Sequence, residues 1–145
     1  MLNALRRRVV AAAPLRLARQ GLGQARRRRE FLKVARQSFV ELQAAWDRAD
    51  WPTLQALATA PLLDDLREQH ALRGPGPHHT EVLELHAELL ALEDLREALL
   101  ASVEFHGLIR EQVDADAAPF RELWLLAKLK AGDDGWRLAR VQALS

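Results

Sequence analysis

Apolar residues in the first half of the chain recur at helical spacing. Between residues 30 and 49 they step by three and four positions, the pattern of a helix with one buried face: Phe31, Ala35, Ser38, Leu42 and Trp46. Asp50 precedes Pro52, and Thr59 precedes Pro61, and a capping residue followed by proline marks a helix start. The sequence therefore predicts a long helix that ends near Ala49, followed by two shorter helices.

The pattern changes after the Gly-Pro-Gly-Pro run at residues 74–77, which ends the helical part. Apolar and polar residues then alternate along 80–93 and 99–111, and shorter segments of the same kind follow at 120–130 and 136–144. A period of two is typical of half-buried strands. Helices followed by an antiparallel meander predict an α+β fold, with the helices packed on a curved sheet of about four strands.

The outer face of this predicted sheet is not purely polar. Four leucines share its parity: Leu90, Leu92, Leu100 and Leu108. Such a surface favours a protein partner or a homodimer. A bulge or a shift of strand parity would explain the same leucines equally well.

Charge divides the chain into two unequal parts. Residues 1–36 carry eleven Lys and Arg and one acidic residue, a net charge of +10, whereas residues 37–145 carry ten and nineteen, a net charge of −9. No apolar run reaches 18 residues, so no segment is long enough to span a bilayer as a helix. The absence of cysteine excludes disulfides, thiolate metal sites and a cysteine nucleophile.

We interpret residues 1–29 as a basic amphipathic helical arm and residues 30–145 as the globular domain. Segments of this kind lie in membrane interfaces, where each basic residue contributes roughly 1 kcal/mol near an anionic leaflet. The arginines predicted to bind an anionic surface are Arg6, Arg7, Arg8, Arg16, Arg19, Arg26, Arg27, Arg28 and Arg29. The apolar run 9–13 is too short for a secretory signal, while a transit peptide and a solvated tail remain alternatives.

Several blocks of the globular part resemble the Tim-forty-four-like domain family, which is found in a subunit of the mitochondrial inner-membrane import translocase and in bacterial proteins. They occur in the family's order: FLKVARQSFVELQAAWDRADWPTLQALAT, TEVLELHAELLALED, LASVEFHGLIRE, PFRELWLLAK and GWRLARVQ. The resemblance implies a nuclear-transport-factor-two-like cone of helices against a curved antiparallel sheet. It also implies a peripheral protein on the inner face of a bacterial inner membrane that binds lipid or partner proteins and is not an enzyme.

Five residues are candidates for lining a pocket inside the predicted cone: Phe105, Phe120, Glu122, Trp124 and Trp136. Glu122 shares a strand face with Phe120 and Trp124, and an acid in such a cone can serve as a general base. No second acid–base group stands at a supporting position, and the chain has no tyrosine. An ion pair of Glu122 with Arg110 or Arg121 is therefore the favoured explanation, because structural ion pairs are common at such positions.

The histidines offer two further clusters. His78 and His79 adjoin Glu81, but zinc needs three or four convergent ligands, so we predict a solvated loop and no metal. His86 and His106 share outward parity with the acidic residues Glu84, Glu88 and Glu104. Cross-strand polar pairing is the simplest interpretation of this second cluster.

We therefore predict a non-enzymatic membrane-peripheral or protein-binding module without a cofactor, linked to inner-membrane protein transport or assembly. Its expected partners are an anionic phospholipid surface and an unidentified protein, with a homodimer as one option. The first alternative is RNA or ribosome binding through the arm, which the lack of aromatic residues there makes less favoured. The second is a small enzyme or hydrophobic-ligand binder that uses the cone.

Overall fold

Three helices precede the sheet in a computed structural model, which describes residues 22–74, 78–112, 114–132 and 135–144. They are α1 (Leu22–Arg48), α2 (Trp51–Leu57) and α3 (Ala60–Leu72). The long helix begins ahead of the arginine run, so the predicted boundary between residues 29 and 30 lies inside α1. The predicted arm residues 1–21 lie outside the described residues.

Local hydrogen bonds explain where the helices end and begin. Ala49 adopts a positive φ of 54°, its N–H donates to the Trp46 carbonyl at 3.2 Å, and the Asp50 N–H donates to the Ala45 carbonyl at 2.8 Å. This pair of bonds is a Schellman motif, which satisfies the last carbonyls of a helix. The Asp50 carboxylate then accepts the Thr53 N–H at 3.3 Å, which confirms the predicted N-cap of α2.

Four antiparallel strands follow in chain order: β1 (Glu81–Asp94), β2 (Ala98–Arg110), β3 (Ala118–Leu129) and β4 (Arg137–Ala143). Each strand pairs with the next, so β1 and β4 form the edges of the sheet. The predicted α+β class, with helices first and a four-stranded antiparallel meander second, is confirmed.

Two bulges in β1 change which of its residues face the core, so the inward and outward positions predicted for this strand need correction. The register shifts between Val82 and Glu84 and again between Leu89 and Ala91. After the second shift Leu92 pairs with Ala101, which is buried in the core, so its register places it on the inner face, as the bulge alternative predicts, while its side chain is 43% exposed. A bulge adds one residue to one strand, and that extra residue exchanges the two faces beyond it.

The core lies between α1 and the inner face of the sheet. Phe39 is at its centre and contacts the rings of Phe105, Phe120 and Trp124 at centroid distances of 4.9 to 5.4 Å. The Thr59 N–H donates to the Leu138 carbonyl at 2.9 Å and joins the α2–α3 junction to β4. Burial of these large aromatic and aliphatic side chains supplies the main driving force for folding.

Candidate functional site

The arginine run occupies the first turns of α1, ahead of the part of the helix that packs on the sheet. Arg26, Arg27, Arg28 and Arg29 are all exposed. Contact with the core begins at Phe31 and Leu32, which are partly buried, and Ala35 is the first fully buried residue of the helix. This segment, residues 26–29, is named here the arginine end of α1.

Few acidic side chains neutralise the arginine end. Arg26 lies 3.5 Å from the Glu30 carboxylate one turn along the same helix, and both side chains are largely exposed. Among the described residues, no carboxylate of the sheet or of the other helices forms an ion pair with residues 27–29. The remaining predicted arginines, Arg6, Arg7, Arg8, Arg16 and Arg19, lie outside the described residues.

Four of the five predicted pocket residues are buried, and one of them, Phe120, also lines an open groove on the sheet. Phe105, Glu122 and Trp124 have no exposed surface, and Phe120 is also buried. Phe105 and Trp124 contact each other edge to face at 5.0 Å. Trp136 stands apart from this group and packs on Phe31 of α1 at 4.9 Å.

Glu122 forms a buried hydrogen bond with an aromatic neighbour. The indole Nε1–H of Trp124 donates to Oε1 of Glu122 at 3.1 Å, two residues along the same face of β3. The predicted arginine partners are engaged elsewhere: Arg110 bonds Glu81 at 3.0 Å, and Arg121 bonds Glu104 at 2.6 Å. A general base needs to reach the proton it removes, so a fully enclosed carboxylate is poorly placed for catalysis.

The predicted polar cluster on the outer face of the sheet is present. His86 and His106 are directly paired across β1 and β2, with their rings stacked at 5.0 Å. Glu84 contacts the His86 Nε2 at 2.6 Å. The cluster matches the predicted cross-strand pairing, and no group of three or more potential metal ligands occurs in the described part of the chain.

An ion pair on the outer face shifts two titration equilibria. The Arg121 Nε–H donates to Glu104 Oε1, and this bond lowers the pKa of the Glu104 carboxyl below its usual value. The same bond raises the pKa of the Arg121 guanidinium. Both side chains line an open groove of about 770 Å³ that also includes His106 and Leu108. The carboxylate of Glu104 and the guanidinium of Arg121 in this groove therefore largely neutralise each other's charge.

The loop before β1, which carries the histidine pair, is held by contacts with a backbone carbonyl and with α1. His78 Nε2 contacts the Gly74 carbonyl oxygen at 3.0 Å, while the next residues attach the loop to α1. The Thr80 N–H donates to Asp47 Oδ2 at 2.6 Å, and the Thr80 hydroxyl donates to Oδ1 at 3.2 Å. These bonds fix the start of β1 beside the C-terminal half of α1.

Gln43 is a buried polar residue that the sequence reasoning missed. Its side chain is only 2% exposed, and neither Nε2 nor Oε1 has a hydrogen-bond partner. The signal was present in the helical spacing, because Gln43 follows Ala35 and Phe39 at intervals of four residues.

No described helix is long and apolar enough to cross a membrane.

Comparisons with known proteins give structural matches only. No family model matches the chain, and no curated protein sequence matches it either. A ketosteroid isomerase-like protein from Erwinia carotovora atroseptica is 19% identical, with 76% of this chain and 93% of that chain covered and a TM-score of 0.44. A nuclear transport factor 2 (NTF2-like) superfamily protein from Salmonella enterica serovar Typhimurium is 10% identical, with 75% and 86% covered and a TM-score of 0.43.

These findings correct the family resemblance drawn from the sequence. The identification with the Tim-forty-four-like family is wrong, because no family model matches the chain and the similar solved structures carry other descriptions. The expectations that rested on that family, a role in the import translocase above all, are withdrawn with it. The architecture predicted from the same residues, helices followed by a four-stranded antiparallel sheet, is confirmed by the element order and the strand pairing.

Proposed function

We propose that this chain is a non-enzymatic binding module that attaches to an anionic phospholipid surface through its basic N-terminal segment. The observation that carries the proposal is the arginine end of α1, four consecutive exposed arginines ahead of the packed part of the helix. Clusters of four or more basic residues on an amphipathic segment are typical of binding to anionic headgroups.

The arrangement of these arginines contributes little to folding. Arg26 and Arg29 are three positions apart and so are neighbours on the helix surface, where like charges destabilise a helix by a few tenths of a kcal/mol. All four side chains are exposed, and within the described part of the chain Arg26 is the one member of the cluster that forms an ion pair. Repulsion within this cluster slightly destabilises the helix, and the domain leaves most of its positive charge unneutralised. Binding of an external anion would neutralise that charge.

The overall charge distribution supports the same proposal. The net charge of +10 on residues 1–36 contrasts with −9 on residues 37–145. Near an anionic membrane, such a chain is attracted at its N-terminal end and repelled along the rest of its surface. The module would therefore bind in one orientation, with the acidic part of the domain away from the lipid.

The interior of the domain supports a binding role over catalysis. Glu122 is the acidic residue best suited by position to act as a base, but it has no exposed surface and bonds Trp124. Its neighbours Phe105 and Phe120 pack around Phe39. A buried carboxylate in such a cluster is adequately explained as a structural hydrogen-bond partner.

Sedimentation of the full chain with lipid vesicles tests the proposal. We expect binding to equal mixtures of phosphatidylglycerol and phosphatidylcholine at low salt, little binding to phosphatidylcholine alone, and loss of binding at high salt. Replacing two arginines, R28Q/R29Q, removes about 2 kcal/mol of attraction, which corresponds to roughly 30-fold weaker binding.

The matched control is R96Q/R140Q, which removes the same charge from exposed arginines elsewhere in the domain. We expect this control to bind within about twofold of the unaltered chain, because its arginines lie on the acidic part of the protein. Equal losses in the two variants, or equal binding to neutral vesicles, would contradict the proposal. Tighter binding to single-stranded RNA than to anionic vesicles at the same salt would favour the nucleic-acid alternative instead.

A further inference from the structure

We propose that the groove between α1 and the free edge of β1 binds an extended peptide segment of a partner protein, and that the side-chain amide of Gln43 bonds one of its peptide groups. This site is separate from the arginine end of α1. The groove has a volume of about 430 Å³, and its walls are Val40, Gln43 and Ala44 of α1 and the segment 79–85.

The groove follows the edge of the sheet. Successive residues of β1, from Glu81 to Leu85, contribute to it, and four of them are Val82 to Leu85. Neighbouring residues in a strand point to opposite faces, so a groove lined by all four lies along the strand's edge. Within the described residues β1 pairs only with β2, and the N–H and C=O groups on its other edge are free to pair with an added strand.

The Gln43 amide indicates what kind of group the site accepts. Both of its polar atoms are buried without a partner, although most buried polar side-chain atoms in folded proteins are hydrogen-bonded. The NH₂ group needs an acceptor and the carbonyl oxygen needs a donor. A peptide bond carries both an acceptor and a donor, and a strand alongside β1 would present such bonds to the groove.

Apolar side chains at the rim add a second requirement. Val40 is 46% exposed and Leu83 is 42% exposed, and both line the groove. Leu83 stands out because it lies within the register shift between Val82 and Glu84. A bulged residue lies outside the regular pairing of its strand, which leaves the Leu83 side chain available to an apolar side chain of the incoming segment.

Charge complementarity selects a basic segment. Glu81 and Glu84 line the groove, and their side chains are about half exposed. Glu81 bonds Arg110 and Glu84 contacts His86, so the attraction comes mainly from the domain as a whole, since residues 37–145 have a net charge of −9. Lysine or arginine flanking an apolar residue would be attracted to this rim. The occupant is therefore an extended segment in which valine-like and basic side chains alternate.

A titration followed by nuclear magnetic resonance tests this site in the full chain. The probe is a blocked pentapeptide of alternating lysine and valine with lysine at both ends, added to uniformly ¹⁵N-labelled protein. We expect saturable shifts of the Gln43 side-chain NH₂ signals and of backbone amides in residues 81–85. The variant Gln43→Leu keeps the side chain's approximate size and removes the amide groups that would bond the peptide, and we expect at least about tenfold weaker binding.

Two controls separate this site from general attraction to the acidic surface. Gln37→Leu makes the same replacement at an exposed position of α1 and should leave the affinity unchanged. A pentapeptide in which one valine is replaced by proline keeps all three lysines but lacks that residue's N–H, and it should bind several-fold more weakly. Binding that is the same for Gln43→Leu, or for the proline peptide, would overturn the proposal, and so would the absence of a shift at Gln43. Movement of the Gln43 signals on dilution of the protein alone would also overturn it, because a second copy would then fill the groove.

Discussion

Gly107 of β2 lies directly against the backbone of Glu84 in β1. A Cβ atom placed on Gly107 would stand 1.9 Å from the Glu84 carbonyl oxygen and 2.6 Å from its carbonyl carbon. The contact occurs where the register shifts between Val82 and Glu84, so the bulge brings one backbone unusually close to the other. Only glycine fits this position without movement of one strand.

Gly107→Ala is therefore expected to destabilise the protein. The added methyl group meets backbone atoms that have no freedom to rotate away, and overpacking of this kind lowers the free energy of unfolding by about 2 kcal/mol or more. Urea unfolding measures the effect. Gly74→Ala is the control, because a Cβ at Gly74 meets no atom within 4 Å, and its effect should stay within about 0.5 kcal/mol. Similar losses for the two variants would contradict the proposed backbone contact.

Ala49→Gly is expected to stabilise the protein. Ala49 has a φ of 54° at the end of α1, a left-handed conformation that costs an alanine about 1 to 2 kcal/mol but costs glycine almost nothing. Glycine loses more entropy on folding, so the expected net gain is about 0.5 to 1 kcal/mol in thermal or urea unfolding. Ala49→Val should act in the opposite direction, because a β-branched residue tolerates this conformation even less. A loss of stability in the glycine variant would contradict the helix-end geometry.

The bond between Glu104 and Arg121 predicts how stability changes in acid. Because the pKa of the Glu104 carboxyl is lowered in the folded state, its contribution is present above the ordinary glutamate value of about 4.3. That contribution is lost as the pH falls further, through the lowered folded pKa. Urea unfolding between pH 7 and pH 2 should therefore show a smaller acid loss for Glu104→Gln than for the unaltered chain.

Arg121→Gln checks the cause of this pH dependence. The Arg121 Nε–H makes the bond that lowers the Glu104 pKa, so its removal should flatten the acid limb by a similar amount. The double variant should resemble either single variant, because the two changes remove the same interaction. Additive effects of the two replacements would show that the residues act independently.

Much of the fold could be predicted from residue spacing. The stripe through Leu42 and Trp46 indicated α1, Asp50 marked the start of α2, and the alternation around Phe105 indicated β2. These features depend on local periodicity and on capping groups, which a single sequence displays directly. The prediction of a meander followed because short turns connect adjacent antiparallel strands.

The features that were missed depend on contacts between distant residues. The bulge beside Glu84 is coupled to Gly107 more than twenty residues later, and no spacing rule connects them. Glu122 accepts the Trp124 indole N–H, whereas the predicted partners Arg110 and Arg121 bond Glu81 and Glu104, because side-chain direction on each strand decides which groups meet. Gln43 is buried despite its polarity, since the packing of α1 beside β1 decides its environment.

The continuity of α1 has a mechanical consequence. Its 27 residues extend about 40 Å at 1.5 Å per residue, with no proline and no break from Leu22 to Arg48. One end carries the cluster of arginines, and the other carries Trp46 within the core. Because α1 has no hinge along its length, a rotation of its arginine end would rotate the sheet as well. Whatever holds that tip would thereby set the tilt of the whole domain.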